Sequence, residues 1–121
     1  MAKLSMGELE SRVMDVVWDR GGWLTPGDVH EALSADRPIA YTTAMTVLVR
    51  LWRKGRLQRR RRGRAYAYHA TVSREEFAAG RMRELLGDAH DRPAALSHFI
   101  ASLRPKDRDQ LRRLLQSKKG R

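Results

Sequence analysis

Ala40-Tyr41-Thr42-Thr43-Ala44-Met45-Thr46-Val47-Leu48-Val49-Arg50-Leu51-Trp52-Arg53-Lys54-Gly55 runs directly into Arg56-Leu57-Gln58-Arg59-Arg60-Arg61-Arg62-Gly63-Arg64-Ala65-Tyr66-Ala67-Tyr68-His69-Ala70. The first half repeats Ala44, Leu48 and Leu51 at the spacing of one helical face. Gly55 closes it, which predicts a helix from about Ala40 or Tyr41 to Lys54. A second face carries Thr43, Thr46, Arg50 and Arg53, hydroxyls followed by guanidiniums. Three β-branched threonines near a helix start are weak helix formers, so local propensity does not account for them. In the second half Tyr66 and Tyr68 alternate with Ala65 and Ala67, the period of a strand. Arg62-Gly63-Arg64 interrupts two short extended pieces. The stretch reads as a helix followed by a β-hairpin with an arginine-covered tip.

Its charge is one-sided. No acidic residue lies between Arg37 and Arg74, and nine of the fifteen residues from Arg50 to Arg64 are basic. A solvated helix face mixes signs to gain i,i+4 pairs, and a disordered basic tract lacks large apolar residues. Here Leu51, Trp52, Leu57, Tyr66 and Tyr68 interleave the charges. The whole chain has 121 residues, 25 Lys+Arg and 14 Asp+Glu, a formal net charge of +11. Residues 1–70 and 71–121 share that excess almost equally, so pattern rather than total is informative. The pattern points to nucleic acid. With no cysteine, disulfides, thiolate metal sites and cysteine nucleophiles are excluded. No apolar run reaches the roughly 18 residues of a membrane span, and Met1-Ala2-Lys3-Leu4 does not open a signal peptide. The expectation is a soluble, cytoplasmic protein.

Upstream, Ser5-x-x-Glu8 is a capping box, and Leu4 with Leu9 forms its hydrophobic staple. Leu9, Val13, Val16 and Val17 then mark a first helix that Gly21-Gly22 stops. Thr25-Pro26-Gly27-Asp28 opens a second helix, with Val29, Ala32 and Leu33 as its buried face and an end before Pro38. Trp18, Trp23, Trp52 and Phe77 read as core residues rather than base-stacking surfaces. Three helices and a basic hairpin, in that order, are a winged helix-turn-helix, whose third helix enters the major groove. Short side chains there let the backbone approach, and threonine offers a hydroxyl to base edges and a methyl to thymine. Arg50 and Arg53, then Arg60, Arg61, Arg62 and Arg64 of the wing, suit phosphates.

Beyond residue 71 the composition changes. Ser73-x-x-Glu76 caps a helix carrying Phe77, Met82, Leu85 and Leu86. Pro93 opens a second, with Leu96, Phe99, Ile100 and Leu103. Pro105 opens a third, with Leu111, Leu114 and Leu115 and an Asp109–Arg113 pair. Fifty residues with three narrow stripes cannot bury a sufficient core alone. The fold is therefore read as mainly α with a small β-hairpin: a winged-helix DNA-binding domain over 1–71 and a helical dimerisation domain over 72–121. Phe77, Leu85, Leu96, Phe99, Ile100, Leu103, Leu111, Leu114 and Leu115 are expected at the dimer interface.

His30, His69, His90 and His98 are scattered and have no metal-ligand spacing. Asp88-Ala89-His90-Asp91 reads as a polar helix-to-helix loop. There is no phosphate-binding glycine motif and no recognisable Ser/His/acid arrangement. No catalytic residue, metal or cofactor is assigned, and the chain is not read as an enzyme. Two other classes share the composition: a winged-helix module binding an acidic protein, and an RNA-binding or nuclease accessory protein without operator specificity.

Leu9-Glu10-Ser11-Arg12-Val13-Met14-Asp15-Val16-Val17-Trp18, Ala40 to Leu51, Lys54-Gly55-Arg56-Leu57 and Gly63-Arg64-Ala65-Tyr66-Ala67-Tyr68 together resemble the penicillinase/methicillin-resistance repressor family (BlaI/MecI type). The resemblance covers nearly the whole chain. It implies a dimeric repressor of β-lactamase-type, antibiotic-resistance genes, with intertwined C-terminal helices. It further implies that Thr42, Thr43 and Thr46 face the groove of a palindromic TACA/TGTA-type operator, with Arg60 to Arg64 near the DNA backbone. Copper-responsive members carry a C-terminal cysteine cluster, which this chain lacks. Members that respond to β-lactams are cut at an Asn–Phe bond by a protease linked to a membrane sensor. The nearest match here is His98-Phe99.

Overall fold

The computed structural model describes residues 4–119. They form α1 (Met6–Arg20), α2 (Pro26–Ser34), α3 (Tyr41–Arg53), β1 (Leu57–Arg62), β2 (Ala65–Ala70), α4 (Arg74–Gly87), α5 (Arg92–Ser102) and α6 (Pro105–Lys119). The chain divides into two compact units, Met1–Ala79 and Gly80–Arg121. No helix among the described residues is long and apolar enough to cross a membrane.

In the first unit the capping boxes form as the sequence predicts. Ser5 and Glu8 satisfy each other's backbone amides at 3.0 and 3.1 Å, and Thr25 and Asp28 do so at 3.0 and 3.2 Å. Each such cap contributes about 1 kcal/mol. The core is Val13, Met14, Val17, Leu24, Val29, Leu33, Ala44, Val47, Leu48, Leu51, Leu57, Tyr68 and Phe77. Burying each large aliphatic side chain contributes about 1.5–3 kcal/mol. On α1 the deepest stripe is Glu10, Val13, Met14 and Val17. Leu9 and Val16 of the expected stripe lie at its margin.

β1 and β2 pair antiparallel, Leu57 opposite Ala70 and Arg62 opposite Ala65. The turn between them holds Gly63 at φ 63°. That left-handed value suits a two-residue hairpin loop and would strain any residue with a Cβ. A third extended piece completes the sheet: Leu24 exchanges two backbone hydrogen bonds with Tyr68, at 2.9 and 2.7 Å.

Three expectations need correction. Phe77, read both as a core residue and as part of a dimer interface, is buried in the first unit as the core reading expects, with its ring 5.6 Å from that of Trp18 in an edge-on contact. The first turn of α4 therefore packs with the first unit, which runs to Ala79. Trp23 is half-buried outside the core and stacks on His69 at 5.0 Å. Asp109 pairs with Arg112 at 3.0 Å, one residue earlier than expected, because i and i+3 are also neighbours on a helix.

The second unit is built differently. Asp91 caps α5 by accepting the Ala94 amide at 3.0 Å, which gives the polar loop its purpose. Yet α5 has no buried residue. Met82, Leu85, Leu96, Phe99, Ile100, Leu114 and Leu115 are all exposed, while Leu103 and Leu111 are half-buried.

Candidate nucleic-acid interface

The site is built on α3. Val47, Leu48, Leu51 and Ala44 anchor its inner face, which turns Thr42, Met45, Thr46 and Arg53 outward, all exposed. Thr43 lies at the edge of this face and is half-buried. The Thr46 hydroxyl donates to the Thr42 carbonyl at 2.9 Å. It keeps its lone pairs and its methyl for a partner but not its proton. Ala40 stands at the N-cap without a side-chain hydrogen bond. The partial positive charge of the helix start is thus left for an external anion.

Arg50 departs from the simple stripe. Its Nε sits 3.4 Å from Oε2 of Glu10, and Lys54 Nζ lies 2.9 Å from the same oxygen. The Glu10 side chain is only 3% exposed, so α1 holds a buried carboxylate against the far end of α3. Two cations compensate it, as a buried carboxylate requires. Reading the sequence for apolar stripes missed Glu10. The signal was present, since positions 10, 13, 14 and 17 share one helical face and one of them is acidic.

The hairpin docks on α3 through a plank of aromatic rings and guanidiniums. Arg59 lies 3.5 Å from the ring centre of Trp52 and 4.0 Å from that of Tyr66. These stacked contacts attract through the ring quadrupole. Arg60 covers Trp23 at 4.3 Å on the other face, and Arg61 approaches Tyr66 at 5.5 Å. Tyr68 is buried and Tyr66 half-buried, both packing under the wing. Arg60, Arg61, Arg62 and Arg64 remain exposed along the strand and turn. Arg59, absent from the expected set, is the residue that fixes the wing to the helix.

One carboxyl is perturbed. Asp28 is held below its ordinary value, chiefly by the Thr25 amide and then by the Thr25 side chain. Slight burial opposes this, and Arg62 and Arg20 assist. The wing's charge is thus felt at the start of α2.

A helix-turn-helix with an outward threonine face and an arginine-coated wing defines a winged-helix DNA-binding transcriptional regulator. The profile described as "Penicillinase repressor" matches residues 6–117, and the chain belongs to that family of transcriptional repressors. A protein named transcriptional regulator BlaI from Mycobacterium tuberculosis (strain CDC 1551 / Oshkosh) is 46% identical over 119 residues, covering 95% of this chain and 86% of its own. The protein of that name from strain H37Rv matches equally. The solution structure of the DNA binding domain of the repressor BlaI is similar with a TM-score of 0.50 and 30% identity, over 63% of this chain and 93% of that one. These relatives are regulators, and the chain is not an enzyme.

Proposed function

We propose that two copies of this chain repress β-lactamase-type, antibiotic-resistance genes by occupying a palindromic operator in cytoplasmic DNA. The observation that carries this reading is the outward face of α3, short-chained from Thr42 to Thr46, with an arginine-covered hairpin docked to its far end by Arg59. Thr42, Thr43 and Thr46 read base edges, and Thr42 and Thr46 stand most squarely outward. Arg53, Arg60, Arg61, Arg62 and Arg64 meet phosphates, and Arg50 does so while tethered to Glu10. The 46% identity to regulators named BlaI supports the gene class.

The second copy docks through the exposed apolar residues Leu85, Leu96, Phe99, Ile100, Leu114 and Leu115, with Leu103 and Leu111 beside them. Release follows from a cut at His98-Phe99 by a protease linked to a membrane sensor. Both residues are exposed in the middle of α5, so the helix must open locally before a protease can take an extended segment.

Titration of the full chain against a TACA/TGTA palindrome and a scrambled duplex, at low and raised salt, tests the reading. The palindrome is expected to keep its preference as salt rises, because phosphate contacts weaken on both duplexes while base contacts persist. Equal binding to both at raised salt overturns it.

A further inference from the structure

In the first unit most large apolar side chains are buried or half-buried. Among its described residues Tyr41 and Met45 are the exceptions, 44% and 39% exposed. They stand one turn apart at i and i+4, on the same side of α3. Thr42 lies beside Tyr41, and Thr46 beside Met45, on the same outward face. An apolar pair left on a surface otherwise dominated by arginine calls for a partner that is anionic outside and apolar at one point within. The major groove of a DNA duplex fits, because its walls are phosphate and each thymine projects a C5 methyl from its floor.

The donor inventory of α3 sharpens this. Guanine is read by Arg or Lys and adenine by Asn or Gln, each in a two-point fork. From Tyr41 to Val49 there is no Arg, Lys, Asn or Gln. The first cation of the helix, Arg50, is paired with Glu10. The Thr46 proton is committed to the Thr42 carbonyl. What α3 offers to base edges is therefore methyl groups, a thioether and single hydroxyls such as those of Thr42 and Thr43, but no two-point donor fork.

We propose that Met45, with Tyr41 beside it, reads thymine methyl groups, so that this protein distinguishes its operator by apolar contact rather than by donor forks. The proposal deepens the operator reading above and rests on it.

The test uses the full chain and the TACA/TGTA duplex, with dU replacing dT one position at a time. The substitution removes the methyl and leaves base pairing intact. Losing a contacted methyl is expected to weaken binding about fourfold, the equivalent of about 0.8 kcal/mol. Met45→Ala, which alters an exposed position and whose fold is checked by circular dichroism, is expected to lose a similar factor on the dT duplex. It is also expected to become indifferent to dU at that position. Replacing the same T·A pair by C·G weakens binding, and 5-methylcytosine there restores the fourfold.

If operator and scrambled duplexes are discriminated but dT and dU bind alike, thymine methyls are not read and the proposal falls while the operator reading stands. If Met45→Ala keeps the wild-type sensitivity to dU, another residue holds the methyl and the proposal also falls. Equal binding to operator and scrambled DNA removes both readings together.

Discussion

The two units of this protein treat apolar residues in opposite ways. In the first, Val13, Met14, Val29, Ala44, Val47, Leu48 and Leu51 are wholly inaccessible to solvent. In the second, Leu85 and Leu115 stand 68% and 66% exposed, and α5 buries nothing. Helices of similar length thus arrive at different solutions. The first unit closes its core with three crossing helices and a sheet, whereas the second leaves its stripes open. An open apolar surface of this kind marks an interaction site, which is the physical basis for placing the second copy there.

The largest effect should come from spoiling the open surface. Phe99→Asp is expected to sediment as a monomer and to lose roughly 10²–10⁴ in operator affinity, the avidity that two linked half-site contacts provide. The thermal unfolding of the first unit should not change. A Phe99→Asp protein that still sediments as a dimer and binds tightly breaks the contrast.

Leu48→Ala asks the converse question of the closed core. The fully buried side chain should cost about 2–5 kcal/mol on removal, read from urea unfolding, while the sedimenting mass stays unchanged. A loss below about 0.5 kcal/mol would place Leu48 outside a well-packed interior.

Asp28 provides the smallest lever, confined to the first unit. Its carboxyl lies below its ordinary value when folded. Its contribution is therefore complete above the unfolded carboxylate value of about 3.9 and drains away as pH falls through the lower folded value. Asp28→Asn should cost about 0.3–1 kcal/mol at neutral pH. The gap to wild type in thermal melts should narrow on acidification toward about pH 3, and a constant gap would mean the ionised carboxylate is not what stabilises α2.

Most of the first unit could be read from the chain because its rules are local. Ser5, Thr25 and Ser73 announce their helices through boxes of four residues, and Gly63 marks its turn. The Thr46 to Arg53 face emerges from periodicity alone. What escaped depends on contacts distant in sequence. Phe77 shares the stripe of α4 with Leu85, and only the Trp18 contact assigns it to a different neighbour. The Leu24–Tyr68 bridge joins backbone groups whose side chains carry no pairing signal. Glu10 is legible only once a carboxylate on a buried stripe is treated as a demand for cations, which Arg50 and Lys54 meet from the far side of the fold. Arg59 looks like its neighbours in a run of four arginines, and its difference lies in the two rings that flank it.

Those flanking rings have an optical consequence. The chain has three tryptophans, and each indole meets a guanidinium at a different seam. Trp18 lies under Arg74 at 4.8 Å where α4 begins, Trp23 under Arg60 at 4.3 Å, and Trp52 under Arg59 at 3.5 Å. Indole emission is sensitive to hydration and to a neighbouring cation, so the three rings are separate lamps at three joints. Residues 80–121 contain no tryptophan. Tryptophan fluorescence therefore arises wholly within the first unit, and a change in its colour locates a disturbance there.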